Sequence, residues 1–494
     1  MHNYKYTIDP VTRIEGHLGI EVVVENGTVK EAKSTGTLFR GFELILKGRD
    51  PRDANRLSQR VCGVCPAIHA KGSAMCLDAA VGLTGKLTHN ARIIRNLILA
   101  SNFLQSHILH FYHLAALDYV DAKKAVGDIT PFTPRYEGDY RLPDKANQEA
   151  VGHYVQALDI RRNAHEMLAI FGGKMPHNIG IVTGGVTEKP TEDKIANFLW
   201  RLNEIRDFIE NAYIPDVIAV AKIYSDYFAV GKGCGNLLAY GGFELANGLL
   251  FQAGACEGLK LNGFKPDNIT EDVKHSWYAD SISGKNPSAG ETIPEPEKKT
   301  GYSFLKSPRY QGKVFEVGPL AHMLIGYLKK DPKITSLVDN VLTTFNAKPE
   351  NLFSVLGRHA ARAIECKIVA DAMAGWITEL KPGEPIYTEY EIPQEAEGAG
   401  MTDAPRGSLG HWITIKDKKI ERYQIITPTS WNASPKDDKD QPGPIEQAVI
   451  GTKIKDKENP FEIVRIIRAF DPCLACSVHL ITPKGKEIGE FEVV

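Results

Sequence analysis

Apolar and polar positions alternate near the start of the chain in the way that predicts a β-hairpin. From Leu18 to Val24 every second residue is apolar, as in a strand with one buried face. Asn26-Gly27 then supplies a tight turn, and a second strand is predicted to begin at Thr28.

The middle of the chain follows a helical period instead. Apolar residues recur at helical spacing over the segments 90–117, 148–171, 191–212, 333–345 and 351–378. The second of these should end at Gly172-Gly173 and the third before Pro215, while a last short helix, PFEIVRIIRAF, should end where Pro472 follows it.

Two other segments do not have this period. Residues 279–312 are polar and rich in glycine, proline and serine, which predicts a long loop or a lid. Residues 380–427 look β-like and are interrupted by glycine. The pattern shows no repeat and no clear domain boundary. It therefore favours an α+β, mainly α fold: one large helix-rich domain with a central helical bundle and small peripheral β-sheets.

Composition and charge exclude several function classes. The formal net charge of the 494-residue chain is −2 and no basic block stands out, so nucleic acid is not an expected partner. The N-terminus lacks the apolar run of a secretory signal. Uninterrupted apolar runs of about 18 residues are missing, so we expect no transmembrane segment.

Four of the eight cysteines form two C-x-x-C pairs at opposite ends of the chain. The first pair lies in RVCGVCPAIH and the second in DPCLACSVH, and a histidine follows each. In a chain without a signal sequence such pairs suggest metal or redox chemistry. The others, Cys76, Cys234, Cys256 and Cys366, are expected to be buried small apolar residues.

Three interpretations of the pairs compete. They could be unrelated, but two pairs of the same form make this less attractive. They could bind structural zinc, although such sites usually separate their pairs by about 15–20 residues. They could instead form a redox-active transition-metal centre closed by both ends of the chain, because chain termini often lie near each other and four thiolates favour a soft or borderline metal.

The two motifs closely resemble those of the large subunit of nickel–iron hydrogenases, a family that includes a nickel–iron–selenium branch. Further segments agree with this resemblance: DPVTRIEGHL, FRGFELILKGRDPRDA, DAPRGSLGHW and YQIITPTSWN. It covers essentially the whole chain. The nearest rival is the quinone-reducing subunit of respiratory complex I, whose members generally lack the four cysteines; a non-catalytic metal-binding scaffold is a second rival.

The resemblance implies a binuclear metal centre that splits H2 heterolytically, or forms it. Nickel would be held by Cys62, Cys65, Cys473 and Cys476. Cys65 and Cys476 would bridge to an iron that carries CO and cyanide, and the terminal thiolates Cys62 and Cys473 would be first proton acceptors. Glu15 matches the proton-relay glutamate. Some members of the family carry selenocysteine where this sequence has Cys473.

Other matching residues would surround the iron and its ligands. Arg406 matches a buried arginine that donates to cyanide, and Pro405 and Thr429 match positions lining the diatomic-ligand pocket. Asp471 would pair with Arg406, and His69 would hydrogen-bond a bridging thiolate.

The resemblance also implies a second metal site, for Mg²⁺ or Fe²⁺, whose ligands match Glu43, the Ile425 carbonyl and His479. One position departs from the family pattern: Ser106 stands where many members have aspartate. His107, His110 and His113, on the following helical turns, are interpreted as packing or hydrogen-bonding residues.

The expected partner is an iron–sulfur small subunit, in a heterodimer or a dimer of heterodimers, with maturation proteins and a C-terminal endopeptidase acting earlier. Residues 1–479 would form the hydrogenase large-subunit domain, and 480–494 an extension removed on maturation. Location would be the periplasm or the periplasmic face of the membrane, by export with the small subunit, with the cytoplasm as the alternative.

Overall fold

The computed structural model describes residues 3–129, 132 and 138–474. Its strands are β1 Tyr4–Ile8, β2 Leu18–Glu25, β3 Thr28–Gly36, β4 Ile181–Val182, β5 Gly185–Val186, β6 Asn236–Ala239, β7 Gly242–Glu244, β8 Leu249–Phe251, β9 Gly254–Glu257, β10 Lys260–Asn262, β11 Ile269–Asp272, β12 Ser307–Tyr310, β13 Glu395–Ala404, β14 Gly407–Lys416 and β15 Lys419–Ile426.

The helices are α1 Phe42–Leu46, α2 Asp53–Ser58, α3 Pro66–Ala80, α4 His89–Leu109, α5 Ala122–Val126, α6 Asp144–Gly172, α7 Glu192–Phe208, α8 Ile214–Ile223, α9 Pro319–Leu328, α10 Pro332–Thr344, α11 Val355–Trp376, α12 Pro428–Asn432, α13 Pro444–Val449 and α14 Phe461–Ala469. Two π-helical turns, His110–Ala115 and Ile209–Tyr213, extend α4 and α7.

The helices form the centre of the molecule and the sheets lie around it. Helix α4 is buried along almost its whole length and packs against α6 and α11. Helix α11 in turn contacts α7, α8, α9 and α14. The antiparallel sheets β1-β2-β3 and β13-β14-β15 flank this bundle. The predicted α+β, mainly α architecture is confirmed.

Most of the sequence-predicted elements are present with shifted ends. The N-terminal hairpin is β2-β3, and Asn26 and Gly27 both have positive φ, 52° and 74°, as a type I′ turn requires. Helix α6 begins four residues before the predicted start and ends at Gly172, where Gly173 (φ 77°) caps it. The 279–312 segment is irregular as predicted, apart from short 3-10 turns and β12 at its end.

Two helix predictions were wrong or missing. Pro215 does not follow a helix end: α7 continues through a π turn into α8, and Pro215 lies in the first turn of α8, directly after that π turn. Helix α9 was not predicted. Residues 319–326 are all buried, and a helix that is enclosed on every side lacks the polar face that makes its period visible.

Glycine allows α3 to approach the sheet unusually closely. A Cβ on Gly398 would lie 2.2 Å from the Cys76 carbonyl oxygen, and one on Gly400 would lie 2.1 Å from the Gly72 carbonyl oxygen. Strand β13 can therefore run along α3 only because these positions have no side chain. This contact fixes the N-terminus of α3 relative to the β13–β14 turn.

Candidate metal centre

The first cysteine pair lies at a helix N-terminus. Cys62 follows a 3-10 turn, Gln59–Val61, in extended conformation, and its Sγ accepts a hydrogen bond from the Val64 amide at 3.2 Å. Cys65 is the N-cap of α3, with Pro66 in the first turn. The positive end of the helix dipole favours a thiolate there. The guanidinium of Arg40 donates to the Arg60 and Val61 carbonyls and holds the preceding turn in place.

The C-terminal segment brings Cys473 to the same place. After α14 the chain turns at Asp471, which has a φ of 55°. The Cys473 amide then donates to the Thr429 hydroxyl at 2.9 Å. Cys473 forms a parallel bridge with Glu15, and the Leu474 amide donates to the Glu15 carbonyl at 2.6 Å. The two terminal segments thus close on one another beside the first pair.

Three buried thiols converge as a result. The Sγ atoms of Cys62, Cys65 and Cys473 all lie within 4.8 Å of one another, and those of Cys62 and Cys473 are 3.4 Å apart. Over residues 3–129, 132 and 138–474 this is the one group of three or more Cys, His, Asp or Glu ligands so close together. A buried set of thiol donors fits a soft or borderline metal ion. Cys476 and His479 lie outside the described residues.

Arg406 faces this cluster from the β13–β14 hairpin. Pro405 and Arg406 form its buried two-residue turn. Arg406 Nε donates to the Asp471 carbonyl at 3.0 Å, and Nη2 lies 3.0 Å from Asp471 Oδ1 as an ion pair. Both Nη atoms are buried without a hydrogen-bond acceptor among the described residues. Buried N–H donors of this kind are expected where a bound group provides the hydrogen-bond acceptors.

Arg406 is buried among groups that carry negative charge when ionised. Burial would lower the pKa of Arg406, but Asp471 and the sulfurs of Cys473, Cys65 and Cys62 together raise it well above its usual value. The pKa of Glu15 is also raised. Burial raises the pKa of Glu15, the charge of Cys62 adds to this, and Arg406 and Arg40 oppose it. A carboxyl group in this position can hold a proton more readily than one in water.

His69 belongs to a buried hydrogen-bonded chain behind the cluster. Its Nδ1 lies 3.2 Å from His411 Nε2, His411 Nδ1 lies 2.8 Å from the Tyr423 hydroxyl, and that hydroxyl donates to Ser73 at 3.0 Å. Burial lowers the pKa of His69 to about 4, against the opposing charge of Cys62. The ring is therefore neutral near pH 7, and His411 orients it.

Glu43 and Ile425, the described members of the predicted second site, are neighbours. Glu43 Oε1 accepts a hydrogen bond from the Ile425 amide at 2.9 Å, and Oε2 accepts one from Thr292. They border a small cavity of about 40 Å³ that Glu271 and Lys306 also line. Burial raises the pKa of Glu271 and Glu43 adds to this, while Lys306, 3.1 Å from Glu271 Oε2, opposes it.

Sequence reasoning missed Glu271, Lys306 and Arg40. Arg40 and Glu43 stand in one quoted motif, FRGFE, so local spacing could have indicated Arg40. Nothing local connects Glu271 and Lys306 to Glu43, because the contact spans more than 220 residues.

The remaining singled-out residues lie in the core. Ser106 is fully buried, and its hydroxyl has no hydrogen-bond partner in the described part of the chain. His107 Nε2 is 3.1 Å from Glu365 Oε2, while His110 and His113 contact the carbonyls of Arg468 and Tyr154. These contacts agree with a packing and hydrogen-bonding role. Cys76, Cys256 and Cys366 are buried as expected, and Cys234 is partly buried.

Within the described residues we find no helix whose length and apolar character would let it cross a membrane.

Comparison with known proteins assigns a family to this site. The model of the family described as nickel-dependent hydrogenase matches residues 40–128 and 123–479. A second, described as HoxL-like, matches residues 5–35.

Relatives match over nearly the full length. The periplasmic NiFeSe hydrogenase large subunit of Desulfomicrobium baculatum is 44% identical, covering 99% of this chain and 97% of its own. The hydrogenase-2 large chain of Escherichia coli K12 is 35% identical, covering 99% and 100%. The structure of the reduced Ni-Fe-Se hydrogenase from D. vulgaris Hildenborough superposes with a TM-score of 0.90 at 46% identity, covering 97% and 100%. The sequence match and the converging thiols together establish that this chain belongs to the nickel-dependent hydrogenase family.

Proposed function

We propose that this chain is the catalytic large subunit of a hydrogenase that interconverts H2 with two protons and two electrons. The observation that carries the proposal is the convergence of Cys62, Cys65 and Cys473 from both ends of the chain beside a buried arginine with unused N–H groups. A structural zinc site would have no use for the adjacent Arg406 donors. The named hydrogenase relatives support the same reaction.

The proposed ligands are those of the family pattern. Cys62, Cys65, Cys473 and Cys476 would hold nickel, with Cys65 and Cys476 shared with an iron that carries CO and cyanide. The Ni–Fe group would supply the metal pair that polarises H2 and takes up its electrons. Because both Nη atoms of Arg406 are buried without a hydrogen-bond acceptor among the described residues, they would donate to cyanide nitrogen.

The other pocket residues would act on the ligands or on Arg406. Pro405 would line the diatomic-ligand pocket, Thr429 would hold the Cys473 backbone in place, and Asp471 would orient Arg406. His69, held by His411, would be directed at a bridging thiolate.

Proton transfer would use the chain's own groups. The Sγ of Cys473 or Cys62 would accept the proton, and the Glu15 carboxylate would take it onward. Support comes from the backbone bridge between Glu15 and Cys473 and from the raised pKa of Glu15, which burial and Cys62 produce.

A second cation, Mg²⁺ or Fe²⁺, would bind Glu43, the carbonyl of Ile425 and His479, with waters completing the shell. The cavity that Glu43, Glu271 and Ile425 line together supports this site.

Electrons would leave through an iron–sulfur small subunit. The described residues contain no second cysteine cluster that could carry them. The Desulfomicrobium relative is named periplasmic, which supports a periplasmic location for this chain. Maturation proteins would insert the metals, and a C-terminal endopeptidase would then remove residues 480–494. Mass spectrometry of active enzyme is expected to find a chain ending at His479; a full-length active chain would refute the cleavage.

Metal and infrared analysis tests the proposal. Purified protein should contain about one nickel and at least one iron per chain, with infrared bands of CO and cyanide, and should reduce a dye with H2. Zinc alone, with no such bands, would overturn it in favour of a structural metal protein.

Glu15→Gln tests the proton relay. The amide cannot take up a proton, so nickel and iron should remain while H2-dependent dye reduction is abolished. The same assays on Glu25→Gln, a carboxylate in the N-terminal hairpin, serve as the control. Wild-type turnover in Glu15→Gln would remove Glu15 from the relay.

A further inference from the structure

Within the described residues, the two terminal segments that close the site meet through very little backbone pairing. Glu15 and Cys473 form an isolated bridge, with one hydrogen bond from the Leu474 amide to the Glu15 carbonyl. Arg13, just before Glu15, has a φ of 55°, a conformation that a residue with a side chain rarely adopts without support. A cavity of about 130 Å³ lies beside Thr12 and Arg13, so packing does not hold the loop on that side.

Arg468 connects the two segments directly. Its Nε and Nη2 each donate to the Thr12 carbonyl at 3.0 Å, and its Nη1 lies 2.5 Å from Asp118 Oδ1. The carbonyl of Arg468 accepts a hydrogen bond from the Asp471 amide at 3.0 Å. One residue of α14 therefore holds the loop before Glu15 and the turn before Cys473.

Asp118 forms ion pairs with Arg468 and with a second arginine, Arg13. Arg13 Nη2 also pairs with Asp118 Oδ1, and Arg13 Nη1 donates to the Leu114 carbonyl at 2.8 Å. Arg465 donates to the Asp118 carbonyl through Nη2 and Nε. Asp118 is 1% exposed, and although burial would raise its pKa, Arg13, Arg468 and Arg465 together lower it. It is thus an anion that ties both segments to the end of the central helix α4.

We propose that Asp118, through Arg13 and Arg468, is a positioning residue that sets Glu15 against Cys473 for proton transfer. The inference rests on the proposed function for its catalytic consequence. The clamp consists of Asp118, Arg13 and Arg468. Arg468 bonds to the Thr12 carbonyl on one side and to the Asp471 amide on the other, so the clamp acts on Glu15 and Cys473 through the backbone that carries them.

Asp118→Asn tests the clamp in the complete enzyme with its small subunit. The amide keeps the shape of the side chain but leaves both guanidinium groups without their counter-charge. We expect hydrogen–deuterium exchange at the Leu474 amide to become at least about tenfold faster, because local opening of the bridge controls that rate. Turnover should fall about 10–100-fold with an unchanged KM for H2, as expected for a misplaced transfer group.

The solvent isotope effect separates positioning from general damage. If proton transfer has become slower, the rate ratio between H2O and D2O should rise in Asp118→Asn, while nickel and iron content stay at wild-type levels. Asp437→Asn is the matched control, because Asp437 forms an equally buried pair with Arg309 at 2.7 Å but contacts neither terminal segment. It should leave Leu474 exchange and the isotope effect unchanged.

Two results would overturn the proposal: wild-type Leu474 exchange and turnover in Asp118→Asn, or equal changes in Asp118→Asn and Asp437→Asn. If Asp118→Asn does not yield folded enzyme, Arg13→Gln tests the clamp instead. The side chain of Arg13 is 25% exposed, so its replacement should destabilise the fold less. The same exchange and isotope changes are expected there, and wild-type values would refute the clamp. Failure of the proposed function would look different: wild-type protein without nickel or H2 turnover, with the Leu474 exchange comparison still interpretable.

Discussion

Arg406, the buried cation at the metal centre, is paired with Asp471 but has N–H donors left over. Arg406 pairs with Asp471 through Nε and Nη2, yet its Nη atoms have no hydrogen-bond acceptor in the described part of the chain. Leaving buried donors unused normally costs about 1–3 kcal/mol each. Their presence beside three thiols is the reason we propose that the bound metal group supplies the missing acceptors.

Arg406→Lys should separate charge from geometry. Lysine keeps the positive charge but loses the planar fork that reaches Asp471 and the open site together. We expect nickel to be retained and turnover to fall about 10–100-fold, measured by H2-dependent dye reduction and metal analysis. Arg309→Lys, at another fully buried arginine, is the control for packing damage. Wild-type turnover in Arg406→Lys would show that the fork is not used.

Glu446 is expected to make the stability of the fold depend on pH. It accepts hydrogen bonds from the Ser34 and Gly443 amides and from Tyr302, yet burial raises its pKa to about 7, against an ordinary 4.5. The folded state therefore binds more protons than the unfolded state between these pH values, and stability falls as pH rises from about 4.5 to 7.

Glu446→Gln should remove this dependence. The gap of about 2.5 pKa units corresponds to about 3 kcal/mol across the window. Thermal unfolding midpoints from pH 5 to 8 should fall less steeply with pH in the variant than in wild type. Glu350→Gln, an exposed carboxylate, provides the comparison. Identical pH profiles in wild type and Glu446→Gln would contradict the assignment.

At the scale of elements, the site depends on a helix and a hairpin that touch backbone to backbone. Helix α3 carries Cys65 at its N-terminus, and the β13–β14 turn carries Arg406. Because Gly398 and Gly400 let these elements meet without side chains between them, the distance between sulfur and guanidinium is set by rigid parts.

Gly400→Ala should push helix α3 and the β13–β14 hairpin apart. The new methyl group would meet the Gly72 carbonyl oxygen at 2.1 Å and the Cys76 nitrogen at 2.5 Å, and backbone atoms cannot move aside cheaply. We expect destabilisation of about 1–3 kcal/mol or more, a lower thermal midpoint and reduced nickel content. At Gly263 a Cβ would meet nothing within 4 Å, so Gly263→Ala should be neutral. A neutral Gly400→Ala would show that the contact is adjustable.

At the scale of the whole molecule, the metal centre is a junction of the two ends of the chain. Cys62 and Cys473 are 411 residues apart in sequence and 3.4 Å apart between sulfurs. Metal binding would therefore stabilise the fold by joining the two terminal regions, in addition to forming the catalytic centre.

Cys62→Ser and Cys473→Ser should consequently have the same effect. Since each removes one thiolate from a single centre, both should lose most of their nickel, measured as metal per chain. Cys256→Ser, a buried cysteine of β9, should keep it. Nickel retained in one of the two variants but lost in the other would place the thiols in separate sites.

The amino-acid sequence by itself determined the local features of this protein. The period of its apolar residues indicated the β2-β3 hairpin and most of the long helices, and the two C-x-x-C motifs indicated metal or redox chemistry. Such patterns can be detected in the sequence because they depend on residues close together along the chain, within a turn or a strand pair. Helix α9 has no such signal, since it is enclosed on all sides.

Only the tertiary structure decided which distant groups meet. The attachment of Asp118 to Arg13 and Arg468 and the gathering of Glu271 and Lys306 near Glu43 span long stretches of chain, whereas the meeting of Cys62 and Cys473 was already implied by the resemblance of their motifs. Periodicity and spacing contain no information on such pairs. They form because buried thiols and charges need partners, and the packing of α3, α4, α14 and β13 determines which partners are within reach.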